Sequence, residues 1–304
     1  MMLKPKDLLL TLWSIAASLI YVGAVNADDV KSEDILINQT DTGRLWLDTS
    51  INDFSGKMLV DTGSSGSVLD QKYLPRIGKY KALSIDKGWG IGDQSTHIDN
   101  LSIEVSSFSV AGESLNNRFI SVHRNVLPAD ELIGIIGIDT IKELRAGMQF
   151  SPDNIVLSDR RKAQSSNSQN TAIDVNSSSL GMMYLEVTMQ GKKVGLIIDS
   201  GADYSIINSE ALDNLKLESS VLPGAYTSDI NGKKLSVRRV KPTNIEMNGT
   251  TIRFEKLFAV PLSSAIKNQS FSTEVIGVIG LFDLKRLEAY LDFNNHKLHV
   301  RSTL

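Results

Sequence analysis

Apolar and polar residues alternate with a period of two along much of the chain, as in Leu101-Ser102-Ile103-Glu104-Val105 and Thr251-Ile252-Arg253-Phe254. That period turns one face of a strand to a core and the other to water. Gly and Asn punctuate the runs: Gln190-Gly191, Asn231-Gly232 and Asn248-Gly249 have the residue types that two-residue hairpin turns require. Helical patterns are few and short, at 140–144, 209–215 and 282–287. The pattern predicts an all-β protein of two barrel-like lobes, each with one or two small helices.

The two-lobe expectation comes from a repeat. Leu59-Val60-Asp61-Thr62-Gly63-Ser64 returns 138 positions later as Ile197-Ile198-Asp199-Ser200-Gly201-Ala202. At the same offset Gly43 pairs with Gly181 and Leu47 with Leu185. Further on, Leu132-Ile133-Gly134-Ile135-Ile136-Gly137 returns as Val275-Ile276-Gly277-Val278-Ile279-Gly280 at an offset of 143, which places a five-residue insertion in the later copy. Four motifs recurring in one order indicate a duplicated unit rather than two unrelated domains. The lobes are expected at 37–160 and 173–304. Between them, the polar, aperiodic stretch 161–172 reads as a linker.

Composition narrows the chemistry. The chain has 304 residues, a net charge of −3 and a pI of about 5.9, so it carries no electrostatic footprint for nucleic acid. Cysteine is absent, which excludes disulfides, thiolate metal sites and a Cys nucleophile. No phosphate loop of the Gly-x4-Gly-Lys type and no Gly-x-Ser-x-Gly elbow occurs. His296 and His299, three apart on an expected strand, would face opposite ways and hold no metal together; His97 and His123 are expected at the surface or in turns. Neither a cofactor nor a metal is implied. Asn38, Asn176, Asn248 and Asn268 lie in Asn-x-Ser/Thr sequons, which matter only in a glycosylating pathway.

Lys4 and Lys6 precede a mostly apolar run at 8–25, and Val25-Asn26-Ala27 offers small residues for cleavage after Ala27. Residues 1–27 thus read as a signal peptide, or, at 18 apolar residues, as an uncleaved membrane anchor. Either assignment puts the folded part outside the cytoplasm, secreted or periplasmic.

The repeated Asp-hydroxyl-Gly step is the candidate chemistry. Each apolar strand would end in an exposed carboxylate, with Gly63 and Gly201 allowing tight curvature and close approach. Thr62 and Ser200 could hydrogen-bond across to the opposite lobe. Two carboxylates brought close cannot both ionise easily, so one pKa rises while the other falls, and the pair can activate a water. This is general acid–base hydrolysis with no covalent intermediate. Ser64, lacking a counterpart at Ala202, is expected to donate to Asp61 and leave the resting proton more often on Asp199.

These motifs resemble the two-lobed aspartic proteases of the pepsin and retropepsin superfamily over essentially all of 40–303. Asp61-Thr62-Gly63-Ser64-Ser65 is similar to the first-lobe motif of pepsin-like enzymes, and Asp199-Ser200-Gly201-Ala202-Asp203 to retroviral-type proteases. The resemblance implies Asp61 and Asp199 as the catalytic pair, Gly63 and Gly201 as substrate-backbone contacts, and Asp203 as a hydrogen-bond acceptor for that backbone. It implies a flap at Gly88-Trp89-Gly90-Ile91-Gly92-Asp93, with Trp89 in the place of the flap Tyr of pepsin-like enzymes, and a counterpart at Thr227-Ser228-Asp229-Ile230-Asn231-Gly232. Departures from the secreted eukaryotic members are the missing disulfides and a segment after Ala27 too short for a conventional prosegment; both suit a bacterial-type, retropepsin-like relative. The expected function is an extracytoplasmic aspartic endopeptidase acting on peptides. Because one chain holds both motifs, a monomer suffices. The competing reading is a catalytically silent module that binds extended peptides or a partner protein in the same cleft.

Overall fold

The structure is a computed structural model that describes residues 34–89, 97–124, 131–159, 170–228, 234–262 and 271–301. The described residues are mostly strand, with short helices at Ile138–Leu144, Ala211–Asn214 and Leu281–Arg286 and a 3₁₀ turn at Gln71–Arg76. All three expected helical segments are present.

Each lobe repeats one strand plan. In the first, Phe54–Val60 runs parallel to Leu132–Ile136, which also pairs antiparallel with Val68–Asp70. In the second, Lys192–Ile198 runs parallel to Val275–Ile279, which pairs antiparallel with Ser205–Asn208. Leu132–Ile136 and Val275–Ile279 are buried along their whole length, which is why they read as continuous apolar runs rather than alternating ones. The hairpin signals behave as their residues require. Gln190 (φ 51°) and Gly191 (φ 73°) join Met183–Met189 to Lys192–Ile198, and Asn248 (φ 46°) and Gly249 (φ 77°) join Thr243–Met247 to Thr250–Phe254. Asn231-Gly232 lies outside the described residues.

A third sheet ties the lobes together. Its order is Ile35–Gln39, Ile155–Ser158, Gly147–Phe150, Tyr290–Asp292, Lys297–Arg301 and Asn170–Ser177, all antiparallel. The central pairing crosses between lobes, Met148 opposite Leu291 and Gln149 opposite Tyr290. Gln149 Nε2 adds bonds to the Glu288 and Ala289 carbonyls at 3.1 Å each. This sheet explains two boundary differences. The first strand opens at Ile35, two residues before 37, and Asn170 is already in strand inside the stretch expected as linker; each pairs into the shared sheet, at Ile35 with Leu157 and at Asn170 with Arg301.

Candidate active site

Asp61 follows directly on Phe54–Val60, and Asp199 on Lys192–Ile198. Each is pinned by its main-chain N–H, which donates to Ile136 O and to Ile279 O respectively, both at 3.0 Å. The chain then turns back into Val68–Asp70 or Ser205–Asn208. The glycines after the hydroxyl residues are there for space rather than curvature. A Cβ on Gly63 would lie 2.6 Å from Asp199 Cγ, and one on Gly201 2.6 Å from Asp61 Cγ. Only a residue without a Cβ lets each carboxyl lie against the opposite loop.

Thr62 and Ser200 join the two loops. Thr62 N donates to Ser200 Oγ at 3.0 Å, and Ser200 N donates to Thr62 Oγ1 at 2.9 Å. Each hydroxyl passes its own proton on across the lobe boundary, Thr62 Oγ1 to Ile198 O at 2.8 Å and Ser200 Oγ to Val60 O at 3.0 Å. Four buried hydrogen bonds in a closed exchange leave neither loop free to shift alone.

Asp61 (3 % exposed) and Asp199 (9 % exposed) are hydrogen-bonded to each other through their carboxyls. Burial pushes Asp61 well above the ordinary carboxylate range, and the neighbouring charge and hydrogen bond of Asp199 add to the rise. Burial also raises Asp199, but the hydrogen bond from Asp61 pulls it back, as do the N–H groups of Gly201 and Ala202, at 2.9 and 3.1 Å from Oδ1. Both carboxyls are thus raised, and the pair holds a shared proton and titrates as a unit. The side-chain donation to Asp61 expected of Ser64 does not occur. Its hydroxyl has one proton and gives it to the buried Gly66 carbonyl at 2.8 Å, so it donates nothing to Asp61. The backbone N–H groups of Ser64 and Ala202 act alike, each on the carboxyl of its own loop.

A family model described as aspartyl protease matches residues 185–281, the stretch that carries Asp199 and the Val275–Ile279 strand. An aspartic proteinase from Irpex lacteus has a similar fold, with a TM-score of 0.56 over 89 % of this chain and 97 % of that one, at 14 % sequence identity. The fold is that of the aspartic proteases. No curated protein sequence matches it significantly.

Within this aspartic protease fold, a second set of polar residues, passed over in the sequence, supports the loops. Ser67 and Ser205 each stand six residues after their Asp. Each hydroxyl accepts from a glycine N–H at 3.1 Å, Ser67 from Gly137 and Ser205 from Gly280. Ser67 Oγ also meets Asp139 Oδ1 at 3.2 Å and Thr140 Oγ1 at 2.8 Å, while Ser205 Oγ donates to Asp283 Oδ2 at 2.7 Å. These bonds tie each active-site loop to the helix that follows the second Gly motif. The recurrence of Ser at one fixed distance from each Asp was the available signal.

The remaining expected residues fall as follows. Asp203 is half-buried beside Asp199; burial pushes its carboxyl up to about 6, partly offset by the Arg44 charge. The segment expected as a flap is flanked by strands Tyr80–Trp89 and His97–Val105, paired as far as Trp89 with His97. Gly90 lies outside the described residues, as does 91–96. The second lobe has a matching hairpin, Ser219–Ser228 with Lys234–Val240, whose tip at 229–233 is likewise outside them. Two histidines differ from expectation. His296 occupies a turn at φ 50° before the strand Lys297–Arg301, not the strand itself. His123 is no surface residue: it lies on strand Phe119–His123, 1 % exposed, with both ring nitrogens lacking a hydrogen-bond partner.

Proposed function

We propose that this chain is an aspartic endopeptidase, extracytoplasmic and active as a monomer, that hydrolyses peptide bonds with a water activated between Asp61 and Asp199. The observation that carries the reading is a pair of buried carboxyls, each lying against the opposite one of two latched loops. A silent peptide-binding module would have no use for that arrangement, which is costly to bury.

The steps are written with the shared proton on Asp61. Ionised Asp199 takes a proton from the water as its oxygen bonds to the scissile carbonyl carbon, and Asp61 gives its proton to the carbonyl oxygen, yielding a gem-diol. Asp199 then passes its new proton to the amide nitrogen as the C–N bond breaks. Asp61 recovers one from a diol hydroxyl, which restores the resting pair. The closed Thr62–Ser200 exchange supports this by holding both carboxyls still, so little reorganisation accompanies the charge movement. That one chain supplies both halves of the pair supports a monomer, and the charged, apolar, small-residue order of 1–27 supports export.

Quenched fluorescent peptides incubated with the protein from pH 3 to 8 test the reading. A bell-shaped profile is expected, because the site fails when Asp199 protonates and when Asp61 loses its proton. Asp61→Asn and Asp199→Asn should each lower kcat/KM by about a thousandfold without unfolding the protein. Wild-type rates in either variant would reject the assignment. Cell fractionation that finds the chain in the cytoplasm would reject its location.

A further inference from the structure

A cleft of about 530 Å³ opens on the second lobe between the turn Gln190-Gly191 and the segment 242–244, and none of its lining residues belongs to the dyad loops. Its floor is three strands, Met183–Met189, Thr243–Met247 and Thr250–Phe254. Register sets Thr188, Glu246 and Thr251 in one row across them, and Asn244 beside Arg253 in the next. These side chains alternate with buried Met189, Ile245 and Ile252, so they stand on the face turned from the core.

The first lobe closes the same place. At the 138-residue offset Asn52 stands where Gln190 does, both at positive φ, 52° and 51°. Asn52 Nδ2 donates to Ile77 O at 2.7 Å and to Lys79 O at 2.9 Å, and its Oδ1 accepts from Ser106 N at 2.9 Å and Ser107 N at 3.1 Å. One side chain thus ties the turn to both roots of the hairpin Tyr80–Trp89 and His97–Val105. Gln190 makes no such bonds among the described residues, and its cleft is lined by Pro242, which has no N–H to give. The floor differs as well. Thr188 has its counterpart in Ser50, whose row runs on through Ser109 and Ser114 without a charge.

Two opposite charges mark the open cleft. Glu246 and Arg253 are diagonal neighbours on adjacent strands, a placement that holds Cα atoms roughly 7–8 Å apart. Among the described residues they form no ion pair with each other. Arg253 gives its Nε to Glu255 at 2.8 Å, which leaves its terminal nitrogens for a ligand. Glu246 has no partner among the described residues, and neither have the side chains of Gln190 and Asn244. A pocket of this size holds a small molecule. Separated charges flanked by amides and hydroxyls complement a zwitterion whose two charges are joined by peptide groups. A neutral saccharide would use the amides and hydroxyls but neither charge.

We propose that this cleft binds a short free peptide, a dipeptide or tripeptide, with its ammonium on Glu246 and its carboxylate on Arg253. The bound peptide joins the Gln190 turn to the segment 242–244, and so does for the hairpin Ser219–Ser228 and Lys234–Val240 what Asn52 does for the first. This site is separate from the dyad, and its test reads binding rather than cleavage.

Ala-Ala, N-acetyl-Ala-Ala and Ala-Ala-amide are titrated into the full chain, with maltose as an uncharged probe, and the NMR shifts of the Gln190, Gly191 and Asn244 amides are followed. Free Ala-Ala should shift these amides and bind about fivefold or more tightly than either blocked form. Glu246→Gln should erase the preference over the acetylated form and keep the preference over the amide; Arg253→Gln should do the reverse. Both side chains are exposed, so neither variant disturbs the core. Equal binding of all three peptides, preferences unchanged in both variants, or no shift by about 10 mM peptide overturns the site. Maltose shifting the same amides, with Ala-Ala no better than its blocked forms, gives the cleft to a saccharide and also overturns the proposal. Each of these failures leaves cleavage of longer peptides at the dyad untouched.

Discussion

The two lobes share one backbone plan but fill it with different chemistry. Val60 and Ile198, next to the two Asp residues, enter a core that spans both lobes, so Leu59 and Ile197 turn to the opposite face. In the second lobe that face is a broad apolar layer of Met182, Tyr184, Ile197, Ile206, Phe258, Val260 and Val278, with Tyr204 and Phe271 packed onto it. Tyr184 meets Phe271 edge-on at 5.1 Å, and Tyr204 meets Phe258 at 5.3 Å. Among the described residues of the first lobe the layer comprises Leu59, Val68, Leu132 and Ile135 beside Trp46. Register shows what replaced the rest: Ser121 lies opposite Val68 where Phe258 lies opposite Ile206, and His123 opposite Asp70 where Val260 lies opposite Asn208. Duplication kept the parts that position the carboxyls and let the surrounding layer diverge. Stability of the loops should therefore be equal in the two lobes, and pH response should not.

The shared part can be broken symmetrically. A Cβ on Gly134 would stand 2.1 Å from Val68 O, and one on Gly277 2.1 Å from Ile206 O. Both obstacles are main chain in a fully buried sheet, so neither can move aside cheaply. Gly134→Ala and Gly277→Ala should each cost about 4 kcal/mol, at the severe end for single substitutions. Urea unfolding measures both; a loss confined to one lobe would show that the mirrored plan is not mirrored in energy.

His123 sharpens the difference. Burial lowers its imidazole to about 4, so the folded protein holds it neutral. A group bound by fewer protons in the native than in the unfolded state contributes stability above the unfolded value near 6.5, and that contribution is lost as pH falls from there towards 4. The size is about 3 kcal/mol for the two and a half units between them. The buried carboxyls act the other way: burial raises Asp139 in the first lobe and Asp283 in the second, so each favours folding in acid and loses that contribution as pH rises through its folded pKa. Those two are counterparts, whereas His123 has only Val260. His123→Val should leave stability at pH 7 little changed and remove about 3 kcal/mol of its decline between pH 6.5 and 4. Equal slopes in wild type and variant would mean that the protonated ring is compensated by a neighbouring group.

What could be read from residues alone follows the same division. The repeated Asp-hydroxyl-Gly and Gly-x-x-Gly steps were legible because steric and hydrogen-bonding demands leave those positions few alternatives, and the hairpin at Asn248-Gly249 was legible because both residues need positive φ. The burial of His123 was not, because its strand is covered through a parallel pairing with Val68–Asp70, more than fifty residues earlier, and such pairings leave no local periodic mark. The support given by Ser67 and Ser205 was written at a fixed distance from each Asp, but its partners Asp139 and Asp283 do not keep a common offset across the five-residue insertion. The first strand at Ile35–Gln39 takes its place from the interlobe sheet, which no segment shows by itself.

Ser64 opposite Ala202 is the subtlest of the differences and the smallest in expected effect. A hydroxyl beside a carboxyl suggests a donor, but several acceptors stand within reach of so short a side chain, and only geometry chooses among them. Here it chooses Gly66 O. Ser64→Ala should therefore cost about 1 kcal/mol or less through that lost bond, and should leave the acid and alkaline limbs of the pH–rate profile where they are. Backbone donors serve both carboxyls alike, Gly63 and Ser64 for Asp61, Gly201 and Ala202 for Asp199. A limb that moves by half a unit or more in Ser64→Ala would return the proton to Asp199 and exchange the acid and base roles of the two residues.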